Sequence, residues 1–230
     1  MFVLLENEIN KNQAIVRVKT QLIISLFLMF NINQVDATVQ IKRTPLYLQL
    51  KLQYETFPGS YDIVMLGDSI TERGHWQDMF PDVRIGNRGI GGDDTNGILE
   101  RIATIKATGA KQVFLMVGTN DISHHTNPHI IVSNIIKIAN KLEANKITPI
   151  IQSILLAGEN RRAKNKIIKY TNTLLEKKII QHGYFYMNIN KKMAPNGYLP
   201  AEYTTDGTHL TVSGYRVWKD VLGEMIPLTH

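Results

Sequence analysis

The sequence predicts an α/β fold in which a parallel sheet is covered by helices on both faces. Three observations predict it. Short apolar runs of strand length alternate, from Tyr61 to Glu224, with longer stretches whose apolar residues recur at helical spacing. The run Gln112–Val117 is almost continuously apolar, as a strand buried on both faces must be. At 230 residues, with 43% hydrophobic and 20% charged residues, the chain suits one well-packed domain and excludes the disordered and fibrous classes. Alternating elements of this size join through right-handed crossovers into one sheet.

The elements follow in order. Arg17 and Lys19 precede the apolar run Leu22–Phe30, and Val35-Asp36-Ala37 offers small-residue cleavage after Ala37. Residues 1–37 are therefore expected to be an export signal with an upstream leader, translation starting at Val18 through an alternative start codon. The chain is then periplasmic or secreted. If the segment is instead a buried amphipathic helix, the chain is cytoplasmic. The apolar run falls short of the about 20 residues that span a bilayer, so no stable membrane insertion is expected after cleavage. Residues 38–60 read as a polar connecting stretch, and 61–230 as the folded domain.

Within that domain, Tyr61–Leu66 is strand-like, and Ile70–Phe80 is expected to be one helix with Trp76 and Phe80 on a common side. Val83–Gly86 reads as a short strand, followed by a glycine-rich loop and a helix from about Thr95 to Ala107. Pro128–Asn145 places Ile131, Ile135, Ile138, Ala139 and Leu142 at helical spacing, with Pro128 suited to the first turn. Ile147–Ile154 is the next strand, a basic helix the next crossover, Tyr184–Ile189 the fifth strand and Val212–Glu224 a closing helix.

The absence of cysteine excludes a disulfide framework, thiolate metal sites and a cysteine nucleophile. A net charge of +6 and a pI near 9.4 allow an anionic partner. The densest bases are Arg161, Arg162, Lys164, Lys166 and Lys169, then Lys177 and Lys178. They read as the solvated face of a helix whose other face holds Ile167, Ile168, Leu174, Leu175 and Ile179. Attraction of an acidic substrate, glycan or membrane surface is the alternative. No aromatic residues interleave with these bases, so nucleic acid is not expected as a partner.

Polar motifs sit where the strands end, which is where ligands bind in open α/β sheets. Gly67-Asp68-Ser69 closes the run Ile63–Leu66, placing a hydroxyl at the sheet rim and a backbone N–H near a helix start. A glycine-rich segment, Asn87-Arg88-Gly89-Ile90-Gly91-Gly92-Asp93-Asp94, lets backbone N–H groups approach a ligand closely. Gly118-Thr119-Asn120-Asp121 follows the third strand, and Asp206-Gly207-Thr208-His209 lies near the C-terminus.

Together these supply a nucleophile, a base, an orienter and oxyanion donors. Ser69 is the candidate nucleophile. His209 can take its proton, and Asp206 can hold the other imidazole nitrogen. Ser69 N–H, Gly92 N–H and the Asn120 amide can form an oxyanion hole, each donor worth about 3 kcal/mol of barrier. Each segment alone also fits a turn or a cap. The glycine segment breaks the dinucleotide pattern because Asp94 stands at its third glycine, and neither a Walker loop nor a Gly-x-Ser-x-Gly elbow occurs.

On these four blocks the chain resembles the SGNH hydrolases, the GDSL esterase/lipase family, whose blocks contribute Ser, Gly, Asn and His. The matching positions are Ser69, Gly92, Asn120 and His209, the last with Asp206, and the resemblance covers roughly residues 60–225. The wording Asn-Arg-Gly-Ile-Gly-Gly-Asp is most similar to the branch of platelet-activating-factor acetylhydrolase subunits and bacterial carbohydrate O-acetylesterases. One departure is Asp94, where many relatives carry the threonine that here follows as Thr95.

The resemblance implies a flavodoxin-like three-layer sandwich on a five-stranded parallel sheet. It implies ester hydrolysis through an acyl-serine with no metal and no cofactor. The expected substrate is a small acyl ester or an O-acylated glycan carrying a short acyl group, with lysophospholipase, arylesterase or acyltransferase activity as alternatives. A glycan-binding relative without activity would be expected to lack some of these residues. Outside the blocks, Trp76, His124 and Tyr203 are candidate substrate-binding residues, and Glu72, Arg73, His75, His125 and Tyr198 are candidates for the pocket wall. Asp68 and Asp121 are expected to order their turns. The oligomeric state is left open.

Overall fold

Five runs of strand length, four of them largely buried, pair side by side because only neighbouring strands can satisfy their backbone groups. The computed structural model describes residues 43–226, and the expected export segment lies outside them. The chain runs through α1 (Pro45–Thr56), β1 (Ile63–Gly67), α2 (Ser69–Glu72), α3 (Trp76–Met79), β2 (Ile85–Gly89) and α4 (Thr95–Lys106). It continues through β3 (Gln112–Met116), α5 (Thr119–Ser123), α6 (Pro128–Ala144), β4 (Thr148–Gln152), a 3-10 helix (Glu159–Lys164) and α7 (Asn165–Gln181). β5 (Phe185–Met187), α8 (Asn190–Met193) and α9 (Val212–Leu222) complete it. The sheet order is β2-β1-β3-β4-β5, with every pairing parallel. This is the three-layer α/β architecture expected.

Alternate strand residues enter two separate cores, as the pleat requires. Val64, Leu66, Val113, Leu115 and Ile151 pack on Ile98 and Ile105 of α4, Ile131, Ile135 and Ile138 of α6, and Ile168 and Leu175 of α7. Ile63, Met65, Phe114, Met116 and Ile150 pack on the other face against Ile70, Trp76, Met193, Tyr215 and Trp218. The helices start where side chains cap them. Asp94 accepts from Gly97 N at the start of α4, Asn127 from His129 N at α6, and Thr211 from Gly214 N at α9. β1 is the switch point: the chain leaves it toward β2, then returns on its other side as β3.

Three expectations change. The connecting stretch 38–60 contains α1, capped by Thr44 with Pro45 at its first position. Its apolar Leu46, Leu48 and Leu52 are exposed and Tyr47 is buried, so no apolar periodicity announces it. The helix expected over Ile70–Phe80 is two short helices, because at Gly74 the chain folds Trp76 back; a Cβ there would lie 2.3 Å from the indole ring. The second strand begins at Ile85 and takes in Asn87, Arg88 and Gly89 from the expected loop. Those polar residues tolerate a strand because their partners lie on other elements. Asn87 Nδ2 donates to the carbonyls of Thr71, Glu72 and Gly74, and the Arg88 guanidinium lies over the rings of Tyr54 and Tyr61.

Candidate active site

At the end of β1, Gly67 stands level with Gly89 of β2 and Met116 of β3. Asp68 caps the next helix, its Oδ1 accepting from Ile70 N at 2.9 Å, and leaves Ser69 as the first residue of α2. Gly89 is needed for this turn to sit so low: a Cβ there would lie 2.1 Å from Glu72 N.

Ser69 Oγ lies 3.0 Å from His209 Nε2, across 140 residues of chain. His209 Nδ1 in turn lies 2.7 Å from Asp206 Oδ2. The Asp206–His209 turn is tied from inside and outside. Asp206 Oδ1 accepts from Thr208 N and His209 N, each at 2.8 Å, and Thr204 Oγ1 donates to His209 O. From the loop after β4, Gly158 N donates to Gly207 O and Arg161 Nε to Asp206 O, both at 2.9 Å. Burial opposes ionisation of Asp206, but the hydrogen bonds from the His209 backbone and imidazole, then from Thr208 N, outweigh it. Its carboxyl stays well below the usual carboxylate range.

Asn120, in the first turn of α5, donates through Nδ2 to Asp93 O at 2.7 Å, which leaves its second amide hydrogen for another acceptor. Among the described residues no hydrogen bond engages Ser69 N or Gly92 N. Beneath, Arg101 pairs with Asp93 at 2.8 Å, both side chains fully buried, and donates to Gly67 O and Arg88 O. Asp121 accepts from Thr95 N and Thr95 Oγ1, at 3.0 and 2.6 Å. Burial raises Asp121 to about 6 even though the Thr95 hydrogen bonds lower it. Asp94 is the cap of α4 and the partner of Arg43 at 3.0 Å, so the departure from threonine is absorbed without moving Gly92 from the cavity wall.

A cavity of about 630 Å³ opens above these groups. Ser69, Gly92, Asn120, Asp206 and His209 all line it, with Glu72 and Arg73 as expected. Trp76 does not. It is 1% exposed in the second core, its indole N–H donates to Thr71 O, and its ring meets Trp218 edge-on at 4.8 Å. The expectation for Trp76 is corrected: a large apolar ring at the first position of α3 gains more from the core than from the rim. His124 is exposed at the end of α5, and Tyr203 packs against the second core; neither lines the cavity. His75, His125 and Tyr198 are not on its wall either.

The sequence reading missed Thr44, Leu46 and Ser123 on the wall, and it favoured a solvated helix face for Arg161 and Lys164, with an acidic partner as the alternative; both line the cavity. Those two bases lie on the 3-10 helix before α7, not on the solvated helix face. Among the described residues, no group of three or more His, Asp or Glu could hold a metal ion, and no helix is long and apolar enough to cross a membrane.

A family model, GDSL-like Lipase/Acylhydrolase, matches residues 65–217. A solved GDSL-like lipase from Bacteroides thetaiotaomicron is 25% identical, with a TM-score of 0.66 over 77% of this chain and 95% of that one. A member of the lipolytic G-D-S-L family from Veillonella parvula is 20% identical, with a TM-score of 0.62 over 71% of this chain and 97% of that one. An acetylxylan esterase from Geobacillus stearothermophilus, solved as a catalytic mutant, is 14% identical, with a TM-score of 0.62 over 74% and 96%. No curated protein matched the chain. The last two likenesses speak for the fold alone. The family match spans well over half of the sequence, and with it this chain belongs to the GDSL-like lipase/acylhydrolase family and is a carboxylic ester hydrolase.

Proposed function

We propose that the protein is a serine esterase that removes short acyl groups, acetyl first among them, from hydroxyls of a carbohydrate or a similar alcohol. The observation that carries this is the relay from Ser69 through His209 to Asp206, at 3.0 and 2.7 Å, on the floor of an open cavity. Ser69 Oγ attacks the ester carbonyl carbon while its proton passes to His209 Nε2. Ser69 N–H, Gly92 N–H and the free Asn120 amide hydrogen receive the oxyanion. The tetrahedral intermediate expels the alcohol, which takes the proton from His209. Water then attacks the acyl-serine with His209 as base, releasing the acid and restoring Ser69. Asp206 stays ionised throughout and orients the imidazole.

The wall supports a short acyl group. Leu46 is the one apolar side chain among its described residues, so a fatty chain finds little apolar surface to bury within it. The fold is shared with acetyl xylan esterases, which agrees with a glycan alcohol. Turnover of para-nitrophenyl acetate against the butyrate and longer esters, with Ser69→Ala as control, tests the reading. Acetate is expected to be hydrolysed best, and Ser69→Ala to lose at least about 10³-fold in kcat. Full activity in Ser69→Ala ends the acyl-serine reading, and a maximum at long chains replaces acetylesterase with lipase or lysophospholipase. Addition of a sugar acceptor separates hydrolysis from acyl transfer. Export belongs to the same proposal: N-terminal sequencing of protein from outside the cytoplasm is expected to begin at Thr38.

A further inference from the structure

Three cations, Arg73, Arg161 and Lys164, line the cavity that holds Ser69. Among the described residues none of them forms an ion pair. Arg161 uses Nε on the Asp206 carbonyl at 2.9 Å, and its two terminal nitrogens make no hydrogen bond among the described residues. Lys164 Nζ is held 2.7 Å from Ser123 Oγ, so this half-buried ammonium is anchored across the cavity to α5. Burial, with Arg161 beside it, lowers the pKa of Lys164. Arg161 is exposed and Lys164 half-buried, so these two neighbouring positive charges, with no paired counter-charge, make a positive local potential that attracts an anion. The acids on the wall do not supply it. Asp206 is committed to His209, and Glu72 lies against Gly91 on the side of the oxyanion donors.

We infer that the natural ester carries an anionic group on its alcohol half, held by Arg161 and Lys164. The alcohol half is indicated because the leaving oxygen departs toward His209 Nε2, and Arg161 is bonded to the turn that carries His209. The guanidinium can meet a carboxylate, sulfate or phosphate in bidentate fashion with its unused nitrogens, while the ammonium acts as a point charge. An acetylated acidic glycan has the required chemistry. The inference rests on the esterase reading and deepens it.

The test compares para-acetoxybenzoate with its uncharged methyl ester, which differ in one negative charge on the alcohol side. The ratio of kcat/KM, charged over neutral, is read in wild type, Arg161→Gln and Lys164→Met, at low and high salt. The ratio is expected to fall about tenfold in each variant, and to fall with salt in wild type more than in the variants. A sulfonate analogue, para-acetoxybenzenesulfonate, separates a planar from a tetrahedral anion, and preference for either supports the inference. The same ratio in wild type and variants overturns it while leaving the esterase reading intact. No turnover of either ester by wild type overturns that reading, and the inference with it. Because each ratio is taken within one protein, a variant that loses part of its folded population still gives a valid answer.

Discussion

Ser69, Gly92, Asn120, Asp206 and His209 lie far apart in sequence, yet each candidate was legible: the first three sit in short polar segments after a strand, and Asp206 and His209 share one near the C-terminus. A polar cluster at a strand end is costly unless it is used. Asn120 tests the oxyanion assignment. Asn120→Ala is expected to lower kcat by about 10²–10³ with little change in KM, measured on para-nitrophenyl acetate. Asp68 tests the electrostatics of the turn. Burial raises its carboxyl to about 7, with the nearby Asp93 and Asp121 adding to the rise. An unfolded aspartate titrates near 3.8, so between these values the folded chain holds a proton that the unfolded chain has lost. The stability tied to that proton is full below the unfolded value and is lost as pH rises through about 7. Asp68→Asn keeps an oxygen for Ile70 N and carries no charge. It is expected to be more stable than wild type by about 1–3 kcal/mol at pH 8, the gap closing toward pH 4, by urea denaturation.

At the scale of elements, the long crossover helices were legible and the short ones were not. α4, α6 and α7 carry their own period, and α4 and α6 their own capping side chains, Asp94 and Asn127. The break between α2 and α3 and the polar end of β2 depend on contacts from elsewhere: Asn87 gains its carbonyl partners, and Arg88 its aromatic rings, only once the sheet is assembled. β2 and α2 approach so closely that Gly89→Ala is expected to cost about 2–4 kcal/mol, and to lower esterase activity in the folded fraction, because the strained element carries Ser69. Chemical denaturation with a parallel activity assay checks both. Lysine and arginine on the 3-10 helix were misplaced for a related reason. A basic segment beside an amphipathic helix reads as its solvated face until the contact of Gly158 with Gly207 turns it over the cavity.

Across the whole molecule, the C-terminal segment completes a site begun at β1. Tyr215 OH donates to Ile70 O at 2.6 Å, so α9 is latched to the helix that carries Ser69. Under that latch Trp76, Tyr215 and Trp218 pack as one aromatic cluster, and Trp218 Nε1 donates to the buried Gln152 Oε1 at 2.8 Å. Tyr215→Phe is expected to lose about 1 kcal/mol and Trp218→Ala about 3–5 kcal/mol in denaturant unfolding. Only Tyr215→Phe leaves the cluster filled, so a larger drop in kcat than its stability loss accounts for would trace positioning of Ser69 to the latch.

By itself the sequence determined the α/β class and singled out the polar motifs and their candidate residues. All of these follow from local pattern: strand-length apolar runs, helical periods, and polar motifs that interrupt them. The tertiary structure alone decided that Ser69, His209 and Asp206 meet within hydrogen-bond distance, and that Trp76 belongs to the core. It alone also placed Arg161 and Lys164 on the cavity wall. The physical reason is common to all three. Which way a side chain points at a strand end or short turn is set by packing against segments distant in sequence, and no local pattern encodes that.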